Sequence, residues 1–340
     1  MFSFFRKKTT HQAQINEHSV QTNSKQTLLV SALEQGVPMA HSCRVGGCGT
    51  CKCRLVEGKT RSLTDFSYVL NAEELAQNYI LACQSVPLTD LVIEAQLTDL
   101  SASKEVKGTI TAQTMLTHDI CQLTVRPTEP INYKAGQYAE LALASAPTVF
   151  RNFSFANASG QEEVSFFIRR VPNGVLTGRI TSEELVGTEV TLRGPHGDFW
   201  LRPADAPLLL VAGGSGLAPL MAILEDAQTQ GIQRPVVLLF GARRQRDLYL
   251  LHTLEEVAAQ WPAPFTFIPV LSEQGDDDWQ GARGLVTEHI SEVLTPETHA
   301  YLCGPPPMVD AATEVLRAQG IAPEHIHADR FLTNATAVAS

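Results

Sequence analysis

The sequence predicts a multidomain chain in which an α+β domain, an all-β domain and an α/β domain follow one another. Three observations support this prediction. A glycine-rich loop of cysteines lies in the first hundred residues, short strands fill the middle of the chain, and strands alternate with helices in its last third. The length of 340 residues fits two or three domains. We expect a flexible N-terminus at 1–10 and domains at 11–100, 101–203 and 204–334.

Composition and charge exclude several classes of function. No stretch approaches the ~18 uninterrupted apolar residues of a membrane span, and the start places aromatic residues before its positive charges, the reverse of a signal peptide. Seven cysteines, an odd number, favour metal ligation in a reducing cytoplasm over a set of disulfides. Residues 204–340 hold 17 Asp and Glu against seven Arg, which accounts for the net charge of −10. The basic stripe that nucleic acid requires is therefore missing.

Four cysteines predict an iron–sulfur cluster. Their spacing, C-x4-C-x2-C followed by one distant cysteine, is the plant-type [2Fe–2S] pattern. Gly46, Gly47 and Gly49 let the loop wrap closely, with positive φ where it is needed. A structural zinc site is the alternative, but such sites usually use two short pairs, and here the fourth cysteine stands alone. The expected ligands are Cys43, Cys48, Cys51 and Cys83.

The first domain is expected to combine short strands with one helix before a polar linker. The strands are predicted at Gln14–Val20, Thr27–Val30, Lys52–Glu57 and Leu91–Leu97. The helix is predicted at Ser31–Gln35 and the linker at Ser101–Lys104.

The middle of the chain is expected to form an antiparallel barrel of six strands, because short strands recur at close spacing with one helix, Thr177–Leu185, between them. The predicted strands are Gly108–Leu116, Ile120–Val125, Gln137–Leu143, Arg151–Ala156, Val164–Val171 and Glu189–Leu192.

The last third alternates strands with helices, which predicts a doubly wound parallel sheet of five strands with ligands at their carboxyl ends. The predicted strands are Leu208–Ala212, Val236–Phe240, Phe265–Leu271, His299–Leu302 and Ile326–Ala328. The predicted helices are Leu220–Gln230, Leu248–Gln260, Val286–Leu294 and Met308–Gln319.

A glycine turn follows the first strand of this sheet. Gly213, Gly214, Ser215 and Gly216 separate the strand from a helix, and bare backbone there lets a pyrophosphate approach the helix N-terminus. Read alone, such a turn also fits a tight connection without a ligand. Its place after the first strand of an α/β unit favours a nucleotide.

Two further positions concern the nicotinamide nucleotide. Cys303, Gly304 and Pro305 end the fourth strand, where Cys303 would face the nicotinamide; a buried, inert thiol is the alternative. Arg243 follows the second strand, where an Arg can take the 2′-phosphate of NADP. The net negative charge of the domain disfavours that phosphate, so we expect NADH, with NADPH as the alternative.

Two segments of the barrel are candidates for a flavin nucleotide. Arg151, Phe153 and Ser154 share one strand, where a guanidinium can grip a diphosphate, an aromatic ring can lie on the flavin and a hydroxyl can hydrogen-bond its reactive nitrogen. A second place for the diphosphate is the start of the barrel helix, which comprises Gly174, Val175, Leu176 and Thr177. Each segment alone also fits an ordinary strand or helical turn.

The order of these motifs along almost the whole chain resembles the ferredoxin–NAD(P)H reductase family. It is similar to the single-chain reductase components of bacterial multicomponent oxygenases, which join a β-grasp [2Fe–2S] ferredoxin domain, an FAD-binding barrel and an NAD-binding sheet. From the resemblance we assign Ser154 and Cys303 as catalytic and add Phe331 to the cofactor-binding residues. Phe153 stands where many members have Tyr, which removes a hydroxyl beside the flavin ribityl chain.

The resemblance implies an NAD(P)H:acceptor oxidoreductase. Hydride would pass from NADH to FAD, and single electrons from FAD to the cluster and on to a terminal oxygenase or hydroxylase; no general base is needed. A reductase partner of a membrane desaturase is an alternative within the same class. A non-catalytic redox carrier or sensor is an alternative from another class, but it would not need both nucleotide sites.

Overall fold

The computed structural model describes residues 10–41, 46, 49–70, 72–97, 104–273, 275 and 278–331. The chain divides into two compact units, the first within residues 1–101 and the second at 102–331. No helix among the described residues has the length and apolar character needed to cross a membrane.

The first unit is a small mixed sheet with a helix packed on it. Its main sheet has the strand order β2-β1-β7-β3-β5, and β4 pairs with β6. Ile15, Leu28, Leu81 and Ile93 are fully buried members of its core. The strands are β1 (Thr10–Ile15), β2 (His18–Asn23), β3 (Lys52–Glu57), β4 (Thr60–Ser62), β5 (Tyr79–Leu81), β6 (Ser85–Pro87) and β7 (Leu91–Ala95), and the helices are α1 (Leu28–Glu34) and α2 (Ala72–Ala76).

Two strand predictions in this unit are wrong. The segment Gln14–Val20 is a hairpin of β1 and β2, because Asn16 takes a positive φ of 49° and turns the chain. The segment Thr27–Val30 opens α1, with the Thr27 hydroxyl accepting the Val30 N–H at 3.5 Å as an N-cap. The strand Lys52–Glu57 has the predicted bounds, whereas residues 101–103 of the predicted linker lie outside the described residues.

A six-stranded antiparallel barrel opens the second unit. Its strand order is β11-β10-β13-β8-β9-β12, and a bridge between Phe155 and Phe166 brings the two edge strands together. One end of the barrel is covered by α3, whose Leu176 and Ile180 are buried in the barrel core. The elements are β8 (Lys104–Met115), β9 (Ile120–Pro127), β10 (Tyr138–Leu143), β11 (Arg151–Ser154), β12 (Val164–Arg169), α3 (Val175–Ser182) and β13 (Glu189–His196).

A parallel sheet with helices on both faces completes the second unit. Its order is β17-β16-β15-β14-β18-β19, so the short edge strand β17 adds to the five predicted strands. Leu254 of α5 packs with α4 on one face, and Ile290 of α6 packs with α7 on the other. The elements are β14 (Leu208–Gly213), α4 (Leu217–Thr229), β15 (Val236–Ala242), α5 (Leu251–Gln260), β16 (Phe265–Leu271), β17 (Ala282–Arg283), α6 (Ile290–Val293), β18 (His299–Gly304), α7 (Pro306–Ala318) and β19 (Ile326–Arg330).

Barrel and sheet share one hydrophobic core. Phe167 of the barrel meets Tyr249 edge to face at 5.6 Å between ring centroids, and Phe199 meets Tyr301 at 5.9 Å. The Glu225 carboxylate on α4 accepts a 2.8 Å hydrogen bond from the Ala158 N–H. These contacts fix the barrel against the sheet. The domain boundary expected near residue 203 stays a prediction.

Candidate cofactor and nucleotide sites

The carboxyl ends of β14 and β18 meet where the strand order reverses, the usual ligand position in a doubly wound sheet. The backbones approach so closely there that only glycine fits. A Cβ on Gly216 would overlap the Cys303 carbonyl oxygen and stand 2.8 Å from the Gly304 nitrogen. Gly213 is crowded by side chains rather than backbone, since a Cβ there would stand 2.6 Å from the Met308 sulfur and 2.9 Å from Pro305 Cδ. This bare backbone at the start of α4 suits a pyrophosphate.

A cleft of about 320 Å³ opens over this turn, between sheet and barrel. The sheet contributes Gly213, Gly214 and Pro305, and the barrel contributes Asp119 and Arg169. A nucleotide in this cleft would therefore contact both halves of the unit.

Arg169, the last residue of β12, reaches over the glycine turn. Its Nη1 lies 3.3 Å from the position that a Cβ on Gly214 would take. Its Nε donates a 2.8 Å hydrogen bond to Oδ2 of Asp119 in the β8–β9 turn. Burial opposes ionisation of Asp119, but the hydrogen bond and charge of Arg169 outweigh it and hold the pKa of Asp119 below its ordinary value.

Tyr249 holds the glycine turn in place through a hydrogen bond to its backbone. Its hydroxyl donates a 2.9 Å hydrogen bond to the Gly214 carbonyl, and its ring lies against both Phe167 and Phe240. Burial, followed by the proximity of Cys303, raises the pKa of Tyr249, so the phenol keeps its proton and remains a donor. The sequence singled out none of Asp119, Arg169 and Tyr249 as site residues.

A second cavity of about 190 Å³ adjoins the cleft and shares Arg169, Arg243 and Asp247 with it. The carboxylate of Asp247 accepts the Arg244 N–H at 3.0 Å, and Arg244 Nε lies 2.8 Å from Glu273 Oε2. The exposed Arg243 lines both cavities at the end of β15, where the sequence predicts the adenosine ribose.

Cys303 has no exposed surface. On β18 it lies opposite Ala212 of β14, and its side chain belongs to the core that barrel and sheet share. Burial, followed by the charge of Asp329, raises the pKa of Cys303 well above its ordinary value, so the thiol stays protonated. Contact of this thiol with nicotinamide stays a prediction.

Phe331 lies at the same sheet edge, because its N–H donates a 2.9 Å hydrogen bond to the Gly304 carbonyl. Its partly buried ring packs against the core that barrel and sheet share.

The flavin candidates on β11 run from an exposed end to a buried end. Arg151 is exposed, pairs with Leu141 in register, and donates from Nη1 to the Phe150 carbonyl at 2.7 Å. Phe153 is half-buried against the barrel core, and Ser154 is buried opposite Tyr138. The charged group of Arg151 therefore lies at the surface, whereas Ser154 is only 5% exposed.

The start of α3 forms a second part of this candidate site. A Cβ on Gly174 would overlap Thr177 Oγ1, which already accepts the Val171 N–H at 3.1 Å. Thr177 thus braces the turn from within, and the first N–H groups of α3 have no acceptor inside the helix. Val175, 61% exposed, leaves this helix end open.

Arg151 and α3 lie at the same end of the barrel. Arg179 of α3 donates a 2.6 Å hydrogen bond to Ser145 in the loop after β10, and Arg151 pairs with β10 two residues before that strand ends. A guanidinium, free helix N–H groups and a glycine cradle fit the diphosphate of FAD.

Two of the four predicted cluster ligands are described. Cys51 and Cys83 are each 3% exposed, and the Ala82 N–H donates to the Cys51 carbonyl at 3.0 Å, which sets the two segments side by side. Gly46 and Gly49 take positive φ of 83° and 72° as the loop requires. Cys43 and Cys48 lie outside the described residues. Buried thiols beside a glycine loop fit a [2Fe–2S] cluster.

Three domain families match the chain in the order that these sites occur. A 2Fe-2S iron-sulfur cluster binding domain matches residues 12–88, an oxidoreductase FAD-binding domain matches residues 107–200, and an oxidoreductase NAD-binding domain matches residues 210–314. The chain is therefore an oxidoreductase with a [2Fe–2S] cluster, FAD and a nicotinamide nucleotide as its cofactors.

Full-length relatives narrow this class. The xylene/toluene monooxygenase electron transfer component of Pseudomonas putida is 42% identical over 90% of this chain and 89% of its own. The naphthalene 1,2-dioxygenase system reductase component of Pseudomonas putida is 37% identical over 94% and 97%. The crystal structure of an Amycolatopsis cytochrome P450 reductase is 32% identical with a TM-score of 0.74, over 95% of this chain and 99% of that one. This chain belongs to the single-chain reductase components of multicomponent oxygenases.

Proposed function

We propose that this protein oxidises NADH and passes the electrons, through FAD and the [2Fe–2S] cluster, to a terminal oxygenase. The observation that carries the proposal is the cleft in which Arg169 of the barrel reaches over the Gly214 turn of the sheet. That arrangement makes one nucleotide site from the two halves that the FAD and NAD families match.

The residues of the cleft bind and orient the nucleotide. Its pyrophosphate would lie on the turn from Gly213 to Gly216, and Arg169 would neutralise its charge. FAD, when bound, supplies two-electron chemistry with the nicotinamide and one-electron chemistry with the cluster. Ser154 would donate a hydrogen bond to the flavin, and Cys303, a neutral thiol in the core, would support the nicotinamide end of the cleft from beneath the strand ends.

The remaining predicted residues would bind the FAD diphosphate, the flavin ring, the nicotinamide or the cluster. Arg151 and the N–H groups of Val175, Leu176 and Thr177 would hold the FAD diphosphate. Phe153 would lie on the flavin ring. Gly304, Pro305 and Phe331 would enclose the nicotinamide, and the thiolates of Cys43, Cys48, Cys51 and Cys83 would hold the cluster.

The acceptor is proposed from the relatives and from charge. The named relatives serve xylene/toluene monooxygenase and naphthalene 1,2-dioxygenase systems. Residues 12–100 carry nine acidic and six basic side chains, which favours docking to a basic face of the acceptor. A hydroxylase or a desaturase would use the same electron path. The proposed location is the cytoplasm, because seven cysteines, an odd number, suit metal ligation in a reducing compartment better than a set of disulfides.

NADH is the proposed donor. The carboxylates of Asp247 and Glu273 lie in the cavity next to Arg243, and Glu273 pairs with Arg244. Arg246 lines the same cavity with its Nε 3.9 Å from Asp247 Oδ1, so both carboxylates would compete with a 2′-phosphate for the arginines. The sheet region also carries the whole net negative charge, which disfavours an extra phosphate.

Steady-state assays test the proposal. Purified protein loaded with its cofactors should reduce ferricyanide and cytochrome c with NADH, and kcat/KM should be higher for NADH than for NADPH. Addition of a terminal oxygenase from the same source should couple NADH oxidation to product formation. Failure to oxidise either nucleotide would refute the proposed activity, and a preference for NADPH would refute the assignment of the donor.

A further inference from the structure

We propose that Asp119 is a positioning residue that aims Arg169 at the phosphates of the nicotinamide nucleotide. The inference rests on the proposed function, because it concerns the same cleft. It adds a residue of the barrel, 50 positions before Arg169 in the chain, to the determinants of nucleotide affinity.

The turn between β8 and β9 holds Asp119 firmly. Its carboxylate Oδ1 accepts a 3.0 Å hydrogen bond from the Thr117 hydroxyl, and its carbonyl accepts the Arg170 N–H at 2.7 Å. The Thr117 hydroxyl also accepts the N–H groups of Asp119 and Ile120 at 3.2 and 2.9 Å. The remaining carboxylate oxygen, Oδ2, is therefore directed at Arg169 by a rigid turn.

Asp119 leaves the binding edge of the guanidinium open. It takes the Nε edge at 2.8 Å, and among the described residues nothing accepts a hydrogen bond from Nη1 or Nη2 of Arg169. Nη1 lies 3.3 Å from the position that a Cβ on Gly214 would take. Asp119 and Arg169 each line both the cleft over the turn and the cavity beside it. A phosphate on the glycine turn would thus meet two free N–H donors in a fixed orientation.

Loss of the carboxylate would free a long side chain. A free Arg side chain samples many rotamers, and a phosphate contact would then have to overcome that conformational entropy at the moment of binding. Asp119 also lines the cleft, where its own charge would repel a phosphate, so loss of that charge alone would strengthen binding. A weaker affinity after its removal therefore has to pass through Arg169. That dependence separates a positioning residue from a direct ligand contact.

The test uses the FAD-loaded protein with Asp119→Asn, Arg169→Ala and the double variant. Asp119→Asn should raise the KM for NADH about tenfold, the lower range for loss of a charged hydrogen bond, with kcat for ferricyanide unchanged. Calorimetry should show weaker binding of ADP and unchanged binding of adenosine, because only ADP carries phosphates. Asp119→Glu should recover part of the affinity, and Asp119→Asn should add nothing in the Arg169→Ala background.

Glu163→Gln is the matched control, since Glu163 pairs with Arg126 of β9 at 2.8 Å away from the cleft. The inference is overturned if Asp119→Asn keeps the wild-type KM, or if it weakens binding equally in the Arg169→Ala background. If Asp119→Asn does not fold, Asp119→Glu decides: a change in ADP affinity that is equally large with and without Arg169→Ala would contradict positioning through Arg169. A wild-type protein that binds ADP but does not oxidise NADH would refute the proposed function and leave this comparison intact.

Discussion

Gly216 lies directly against the carbonyl group of Cys303, at the point where the strand order of the sheet reverses. A Cβ at position 216 would stand 2.6 Å from the Cys303 carbonyl carbon and 2.8 Å from the Gly304 nitrogen. Both atoms belong to the backbone of a central strand, which cannot move aside as a flexible side chain can. The glycine at this position is therefore required by packing, since its own φ of −63° is ordinary for any residue.

Gly216→Ala should push the glycine turn after β14 away from β18 at the nucleotide edge. We expect a loss of about 1–3 kcal/mol in the free energy of unfolding, as for other overpacked sites, together with a raised KM for NADH. Thermal unfolding and steady-state kinetics would measure the two effects. Gly178→Ala is the control, because no atom lies within 4 Å of its added Cβ. An unchanged KM in Gly216→Ala would refute the assignment of this turn.

Arg151→Ala should weaken FAD binding by about 1.5–3 kcal/mol, the value of a charged hydrogen bond. The guanidinium is exposed, and among the described residues its one hydrogen-bond acceptor is the neighbouring Phe150 carbonyl, so its removal should leave the barrel folded. FAD should separate from the variant on gel filtration, and added FAD should restore activity. Arg126→Ala, on β9 of the same barrel, should retain its flavin. Equal retention by both variants would contradict the assignment of Arg151.

Cys51→Ser and Cys83→Ser should abolish the red-brown cluster absorbance and reduce the iron content below the expected two atoms per chain. NADH-to-ferricyanide activity should persist, because FAD and NADH bind in the second unit. Cys53→Ala is the control: Cys53 is also buried, and burial raises the pKa of its thiol, so it stays protonated. Stoichiometric zinc in the wild-type protein, without visible absorbance, would contradict the cluster.

Acid should destabilise the second unit through His327. Burial, together with the charges of Arg202 and of His299, lowers the pKa of His327 to about 4, and its Nε2 is buried without a hydrogen-bond partner in the described residues. The unfolded chain therefore binds more protons than the folded protein between that value and about 6.5, so stability falls as the pH falls through this range.

The expected loss through His327 is about 1–2 kcal/mol between pH 7 and pH 5. Thermal unfolding at several pH values would measure it, and His327→Gln should flatten the pH dependence. His252→Gln, whose side chain is 84% exposed, should behave like the wild type. An equal slope in His327→Gln and wild type would show that other groups cause the acid sensitivity.

Local signals made the sheet and the barrel predictable. The strand Phe265–Leu271 has its predicted bounds, and the glycine turn lies where an apolar strand meets a helix. The helix expected at Val286–Leu294 is instead a 3₁₀ turn, Val286–His289, followed by the short α6. In the first unit, the strand predictions Gln14–Val20 and Thr27–Val30 are wrong for local reasons. Asn16 turns the chain with a positive φ and Thr27 caps a helix, and polar alternation reveals neither.

The long-range contacts of the nucleotide cleft could not be predicted from local patterns. Arg169 and Asp119 are 50 positions apart, and Tyr249 and Gly214 are 35 positions apart. Asp119 and Arg169 meet within the barrel, and Gly214 and Tyr249 meet within the sheet half, so each pair forms only when segments distant in sequence fold together. The sequence marks Arg169 only by its position at the end of an apolar strand. Nothing in the local pattern predicts that Asp119 is its partner.

An anaerobic titration of the cofactor-loaded protein with NADH tests the central claim most directly. NADH should bleach both the flavin and the cluster absorbance of the wild type, and only the flavin absorbance of Cys83→Ser. Cytochrome c reduction should be lost in Cys83→Ser while ferricyanide reduction remains. A wild-type cluster that stays oxidised while the flavin is reduced, or a flavin that NADH does not bleach, would contradict the proposed path of electrons.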